Sequence, residues 1–261
     1  AIGKSGDDYV AWNWKAGGTA VTNNDGSLPD GNVSVSANPT AGFSIVKYTG
    51  TATSASSGAT IGHGLGVVPT MIIVKRTDGG SGGWYVYHKY LDATAPEDKY
   101  IELQNGANVF DASWPWNDTP PTDSVFNIGG DPNISGDGNT FIAYCFADKE
   151  GYSKVGTFTT VGGVASPTNN LGIFQYCGFE PAFLMFKGTD NTSGWFMFND
   201  AVNTYNLVDD YLLANTTAAE VDGGASGWGF LSNGFKQWES YNGTWIFYAV
   251  AKSPFKYSNA R

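Results

Sequence analysis

Pro69-Thr-Met-Ile-Ile-Val-Lys-Arg-Thr-Asp78 returns later in the chain as Pro181-Ala-Phe-Leu-Met-Phe-Lys-Gly-Thr-Asp190, with Pro, Lys, Thr and Asp in register. Trp84-Tyr-Val-Tyr-His88 then answers to Trp195-Phe-Met-Phe-Asn199, and Lys99-Tyr-Ile-Glu-Leu103 to Asp210-Tyr-Leu-Leu-Ala214. Each copy closes on a long apolar run, Thr140-Phe-Ile-Ala-Tyr-Cys-Phe-Ala147 and Thr244-Trp-Ile-Phe-Tyr-Ala-Val-Ala251. A third version of that run, Asp8-Tyr-Val-Ala-Trp-Asn-Trp14, stands near the N-terminus with no body in front of it. Repeats set the architecture, so they are read first. They also supply an internal control, because a residue kept in one copy only is not required by the fold.

The runs are rich in Val, Ile, Thr, Tyr, Phe and Trp and are punctuated by Asn-Gly, Asp-Gly and Gly-Gly pairs. That pattern predicts many short antiparallel strands joined by tight turns. No long stretch repeats apolar residues at helical spacing, so little helix is expected. The closing runs are apolar on both faces, which points to two-layered β-sandwiches of jelly-roll or lectin-like type. The expected division is a closing strand of a preceding repeat over 1–18, a polar linker over 19–41, and sandwich repeats over 42–148 and 149–261. Only Asp148-Lys-Glu-Gly151 separates the two bodies, so they should pack side by side. The lone strand belongs to an upstream repeat of a longer polypeptide, or completes a neighbouring subunit by strand addition.

A net charge of −10 over 261 residues disfavours nucleic acid, which needs clustered Lys and Arg. No apolar stretch reaches the roughly 18 residues of a membrane span, so no membrane insertion is expected. Cys145 aligns with Ala249 and Cys177 with Leu65. Small buried apolar side chains are the favoured reading of both, with a disulfide between them as the alternative.

Tyr9-Val-Ala-Trp-Asn-Trp-Lys-Ala-Gly-Gly18, the stretch from Val35 to Gly50, Ile61-Gly-His-Gly-Leu-Gly66, Tyr144-Cys-Phe-Ala147, Glu150-Gly-Tyr-Ser-Lys154 and Pro254-Phe-Lys-Tyr257 together carry a resemblance. They resemble a repeated β-domain of tail-fibre and structural virion proteins from marine podoviruses, the cyanophage-like group. The likeness covers nearly the whole chain. It implies a place on the surface of a virus particle and supplies no catalytic residue to carry over.

Read residue by residue, the candidates for chemistry thin out. His63 and His88 align with Gln175 and Asn199, and no Gly-x-Ser-x-Gly elbow presents a serine, so a hydrolytic triad is not expected. The glycines of Ile61–Gly66 lack the Gly-Lys-Ser/Thr that opens a phosphate-binding helix, and a close-packed bend is favoured. Asp131-Pro-Asn-Ile-Ser-Gly-Asp-Gly-Asn139 imitates the start of a calcium loop, but its twelfth position is Ile142. A hairpin turn is favoured there, with an irregular Ca²⁺ site at Asp131, Asp137 and Asn139 as the alternative. Trp114 and Trp116 lie in a loop without counterpart in the second copy. Packing is their first reading, followed by subunit contact and by stacking on a host cell-surface glycan. Trp84, Trp195, Pro69 and Pro181 occur in both copies and are expected to anchor the cores. Asn-x-Thr triplets such as Asn215-Thr-Thr217 read as chance products of composition.

The sequence therefore predicts a non-enzymatic structural component of a bacteriophage particle, a tail-fibre or appendage segment engaged in host attachment. It would form a homo-oligomer, a trimer by analogy with fibres, among other virion proteins. Two alternatives stand beside it: a capsid-decorating or head-fibre protein without receptor binding, and a glycan-binding or glycan-degrading virion protein. The last would need two carboxylates about 5–9.5 Å apart, and no such pair is visible in the sequence.

Overall fold

The computed structural model describes residues 6, 9–80, 82–160, 172–224, 227–238 and 242–254. Asp8 at the head of the third run, and Phe255 to Tyr257 of the terminal motif, lie outside them. The first half builds β1 (Val21–Thr22), β2 (Val33–Asn38), β3 (Phe43–Thr49), β4 (Ala59–Gly62), β5 (Met71–Arg76), β6 (Trp84–His88), β7 (Lys99–Glu102), β8 (Phe110–Asp111), β9 (Val125–Ile128) and β10 (Thr140–Phe146). The second half builds β11 (Ser153–Thr160), β12 (Phe174–Tyr176), β13 (Pro181–Gly188), β14 (Phe196–Asn199), β15 (Leu212–Leu213), β16 (Trp228–Leu231), β17 (Gly234–Gln237) and β18 (Gly243–Ala251). The only helical element among the described residues is a 3-10 turn at Pro96–Asp98. The protein is all-β, as the turn chemistry and β-branched runs predict.

The larger sheet runs β1-β2-β3-β10-β5-β6-β7-β8 and the second runs β11-β18-β13-β14-β15. Five strands, β3-β10-β5-β6-β7, thus recur in the same order as β11-β18-β13-β14-β15. In each sheet the closing strand lies between the opening strand and the Pro-initiated strand. Two small sheets, β4-β9 and β12-β17-β16, cover the outer faces.

Alternation along the strands sends side chains into three cores. Phe141, Ala143 and Cys145 of β10 join Ile72, Val74, Tyr85 and Tyr87 under the β4-β9 sheet. Trp245, Phe247 and Ala249 of β18 join Leu184, Phe186 and Phe198 under β12-β17-β16. The opposite faces meet each other: Phe43, Met71, Ile73, Val86, Ile101 and Phe146 pack on Val155, Phe183, Met185, Trp195, Ile246 and Tyr248. Sequence spacing suggests bodies side by side. They are stacked face to face, and equivalent faces of the two copies share the middle core. The closing strands are apolar on both faces because they lie in the two inner layers of a four-layer stack.

Two further expectations change. The stretch 19–41 is not a linker: it contributes β1 and β2, with Val33, Val35 and Leu28 buried. Val33-Ser-Val-Ser36 is a short period-two pattern, and Ser36 Oγ fastens it by donating to the Gly18 carbonyl at 2.7 Å. The Tyr9–Trp14 run forms no strand; it lies extended and inserts Trp12 and Trp14 into the middle core. These two align with Tyr144/Tyr248 and Phe146/Val250, which face the same core, so the third copy keeps the burial pattern without a ladder. In the small sheets, β9 pairs with β4 as β17 pairs with β12.

Candidate functional site

The residues common to both copies hold the strands together. Thr77 Oγ1 and N–H both donate to the Thr140 carbonyl, at 3.0 and 2.8 Å. Thr189 does the same to the Thr244 carbonyl, at 3.0 and 2.9 Å. Asp78 and Asp190 return the favour, accepting from the N–H of Thr140 and Thr244 at 3.3 and 3.0 Å. The Thr-Asp pair is therefore a two-way clamp on the first residue of each closing strand. Lys75 donates to the Gly82 carbonyl, and Lys187 to the carbonyls of Gly188 and Asn191 at 2.9 and 3.3 Å, so each shared lysine ties down the following turn. Lys187 also reaches the Gly106 carbonyl of the other body at 3.5 Å, and burial lowers its pKa to about 8. Pro69 and Pro181 are buried where β5 and β13 begin. Trp84 and Trp195 sit in register: their N–H groups donate to Gln104 Oε1 and Asn215 Oδ1 at 2.7 and 2.9 Å.

Both histidines are consumed by the fold. His63 Nδ1 accepts from Leu65 N–H at 3.2 Å, so its proton sits on Nε2, which donates to the Thr122 carbonyl at 3.2 Å. His88 repeats the arrangement, accepting from Tyr90 N–H at 3.2 Å and donating to the Phe247 carbonyl of the other body at 3.3 Å. Burial depresses both pKa values, that of His88 to about 3, so both imidazoles are neutral. Asn199 stands at the position of His88 in the second copy, and its Oδ1 takes the equivalent N–H of Ala201 at 3.1 Å. The shared requirement is an acceptor at the strand end, which either residue supplies.

Trp114 and Trp116 pack inside their own body. Trp116 is 2% exposed, donates from Nε1 to the Lys99 carbonyl at 3.0 Å and meets Tyr87 edge-on at 5.7 Å. Trp114 is half-buried against Tyr85 and Tyr100, with ring centroids 5.4 and 5.3 Å away. A Cβ on Gly129 would lie 1.7 Å from the Trp114 carbonyl oxygen, so only glycine lets the exit of β9 run against this loop. Both indoles pack on their own body, Trp116 fully and Trp114 in part. The same loop does bring two carboxyl groups together. The neighbouring Asp118 carboxyl raises the Asp98 pKa.

The Asp131–Asn139 turn is closed by its own hydrogen bonds. Asp131 Oδ1 accepts from Asn133 N–H at 2.7 Å, and the Asp131 carbonyl from Ile134 and Ser135 at 3.1 and 2.9 Å. Asn139 Oδ1 accepts from the Arg76 guanidinium at 2.8 Å. A cation already occupies that oxygen, and Asp137 is exposed at the tip. Among the described residues no group of three His, Cys, Asp or Glu side chains is gathered as a metal site. The bonds made by Asp131 are those of a hairpin turn. Cys145 and Cys177 are free and buried in separate cores, which removes the disulfide alternative. Burial pushes both thiols up to about 12.

One feature escapes a reading of the sequence. Between the two inner sheets a chamber of about 440 Å³ remains open, with Trp12 and Trp14 lying along it. Trp14 is held there by a 3.0 Å hydrogen bond from Nε1 to the Tyr248 hydroxyl and by edge contacts with Phe146 and Phe183. Trp195, on the second copy, donates from Nε1 to the Glu102 carbonyl at 2.9 Å and is 2% exposed. Its counterpart Trp84 is half-buried and lines the chamber. The duplicated interface is thus sealed at one tryptophan and open at the other. Its signal in the sequence was the position of the methionines, taken up below.

No curated protein and no solved structure matches the chain. A family model described as a domain of unknown function, DUF7483, matches residues 1–254. That span takes in both bodies and the Trp12–Trp14 segment that joins them. The chain belongs to this family.

Proposed function

We propose that this protein is a structural segment of a bacteriophage particle, part of a tail fibre or comparable appendage that takes part in attachment to the host surface. The observation that carries the reading is the shared middle core. Two copies of one sheet, with Trp12 and Trp14 between them, are fused into a single four-layer unit that suits a load-bearing spacer. The shared residues support it, since Thr-Asp clamps, lysine ties and buried prolines serve the strands. The virion resemblance of the sequence points the same way.

With Trp116 buried and Trp114 half-buried, attachment would use exposed loops such as the one carrying Tyr205, 85% exposed. Self-association into a fibre-like oligomer belongs to the same proposal, as avidity suits weak individual contacts. The test is to purify particles of the phage encoding this chain and locate the chain by electron cryomicroscopy, with light scattering on the isolated protein. Density in a tail appendage and an oligomer in solution are expected. A position in the capsid lattice would favour the shell-decorating alternative, and absence from the particle would overturn the proposal.

A further inference from the structure

Methionine is the rarest apolar residue after cysteine here: the chain has three. All three, Met71, Met185 and Met197, line the chamber between the inner sheets, and the two outer cores contain none. The repeat gives the control. At the aligned positions the other copy has Phe183, Ile73 and Val86, so the fold accepts stiff side chains at each site. Methionine is unbranched and polarisable, and it adapts to the outline of whatever it touches. Its concentration around one opening, at positions where the strand geometry does not demand it, marks a surface that changes shape with its contents.

The rest of the lining narrows the contents. Three tryptophans, Trp12, Trp14 and Trp84, share the wall with the methionines, and no charged side chain takes part. Polar atoms come only from Asn13, the hydroxyls of Tyr144 and Tyr248, the indole nitrogens and the backbone. A volume of about 440 Å³ falls within the range of roughly 300–1,000 Å³ typical of small-molecule sites, which are apolar with a few polar groups for orientation. A wall without charge cannot compensate an ionised ligand taken out of water. The Trp12–Trp14 strap is anchored on the Tyr248 hydroxyl of β18 and lies along the chamber without being assigned to a strand of either sheet.

From these observations we infer that the chamber binds one uncharged, mainly apolar small molecule, gripped between the methionines and the Trp12–Trp14 strap. The inference is independent of the particle assignment, since it rests on the chamber alone.

The test uses the full chain labelled with [methyl-13C]methionine, which gives three methyl resonances, and N-phenyl-1-naphthylamine as a neutral apolar probe. Expected are saturable one-to-one binding read by probe fluorescence and shifts of all three methyl signals that follow the same curve. Ala214 also lines the chamber, and Ala214→Phe should fill it and weaken binding at least tenfold. Phe174 and Tyr176 form a separate exposed aromatic pair, and Phe174→Ser with Tyr176→Ser should leave the affinity unchanged. The inference fails if binding does not saturate, if the methyl signals stay fixed at saturation, or if folded Ala214→Phe binds as well as the parent. Should Ala214→Phe not fold, the methyl shifts of the parent decide the matter.

Discussion

Replacing His88 by asparagine should flatten the acid dependence of stability. In the unfolded chain this imidazole titrates near 6.5, and in the native state burial holds it at about 3. Between those values the unfolded state binds a proton that the native state refuses, so stability is full above 6.5 and falls as the pH drops. From about pH 7 to about pH 4.5 the unfolded histidine gains some two pKa units of protonation, worth about 3 kcal/mol. His63 is shifted in the same direction and adds to the loss in both proteins. Asp78 and Asp92 are shifted down, so their contribution is lost only below about pH 4, outside this window. His88→Asn borrows the residue of the second copy, whose Oδ1 accepts the equivalent backbone N–H. Urea unfolding followed by tryptophan fluorescence across the window gives the two stability curves. The variant should lose about 3 kcal/mol less than the parent. Parallel curves would refute the assignment of a neutral, interface-bridging imidazole.

Three other outcomes follow from the packing. Thr77→Val and Thr189→Val each remove one clamp hydroxyl and should each cost about 1 kcal/mol, additively, with unchanged m values in urea. Trp116→Ala should destabilise by roughly 3–5 kcal/mol, because the indole is a core side chain. A change under about 1 kcal/mol would restore the surface reading of that loop. Cys145 and Cys177 should resist an aromatic disulfide reagent in the native state and both react on unfolding. One reactive thiol, or none after unfolding, would contradict two free buried cysteines.

The repeat made the strand order legible, since five strands recur in the same sequence of neighbours. What it left open was how two sheets with apolar faces meet. Tyr144 and Phe146 alternate with Cys145 in either arrangement, and alternation specifies that a face is buried without naming what buries it. The role of 19–41 was obscured because its serines and asparagines outweigh Val33 and Val35 in composition, although the period-two pattern was present. Trp12 and Trp14 were misread as strand residues because burial and pairing leave the same mark on a sequence. The Trp114–Trp116 loop misled for a related reason: the absence of a counterpart suggested function, while the loop fills space above Tyr85 and Tyr87 that the second body fills with other aromatic rings. The influence of Asp118 on Asp98 links a loop to the 3-10 turn 20 positions before it, and no local pattern announces it.

The hydrogen bond from Trp14 to Tyr248 joins positions 234 residues apart. Tyr248 lies in β18, so the middle core cannot be finished until that strand is in place. Trp12 and Trp14 find their partners on Phe146, Phe183 and Tyr248, and contacts so distant in sequence are slow to form. Two indoles held exposed through translation invite association with other nascent copies. The fold should therefore mature late, and a chain cut short before β18 would leave Trp14 without the Tyr248 hydroxyl that anchors it.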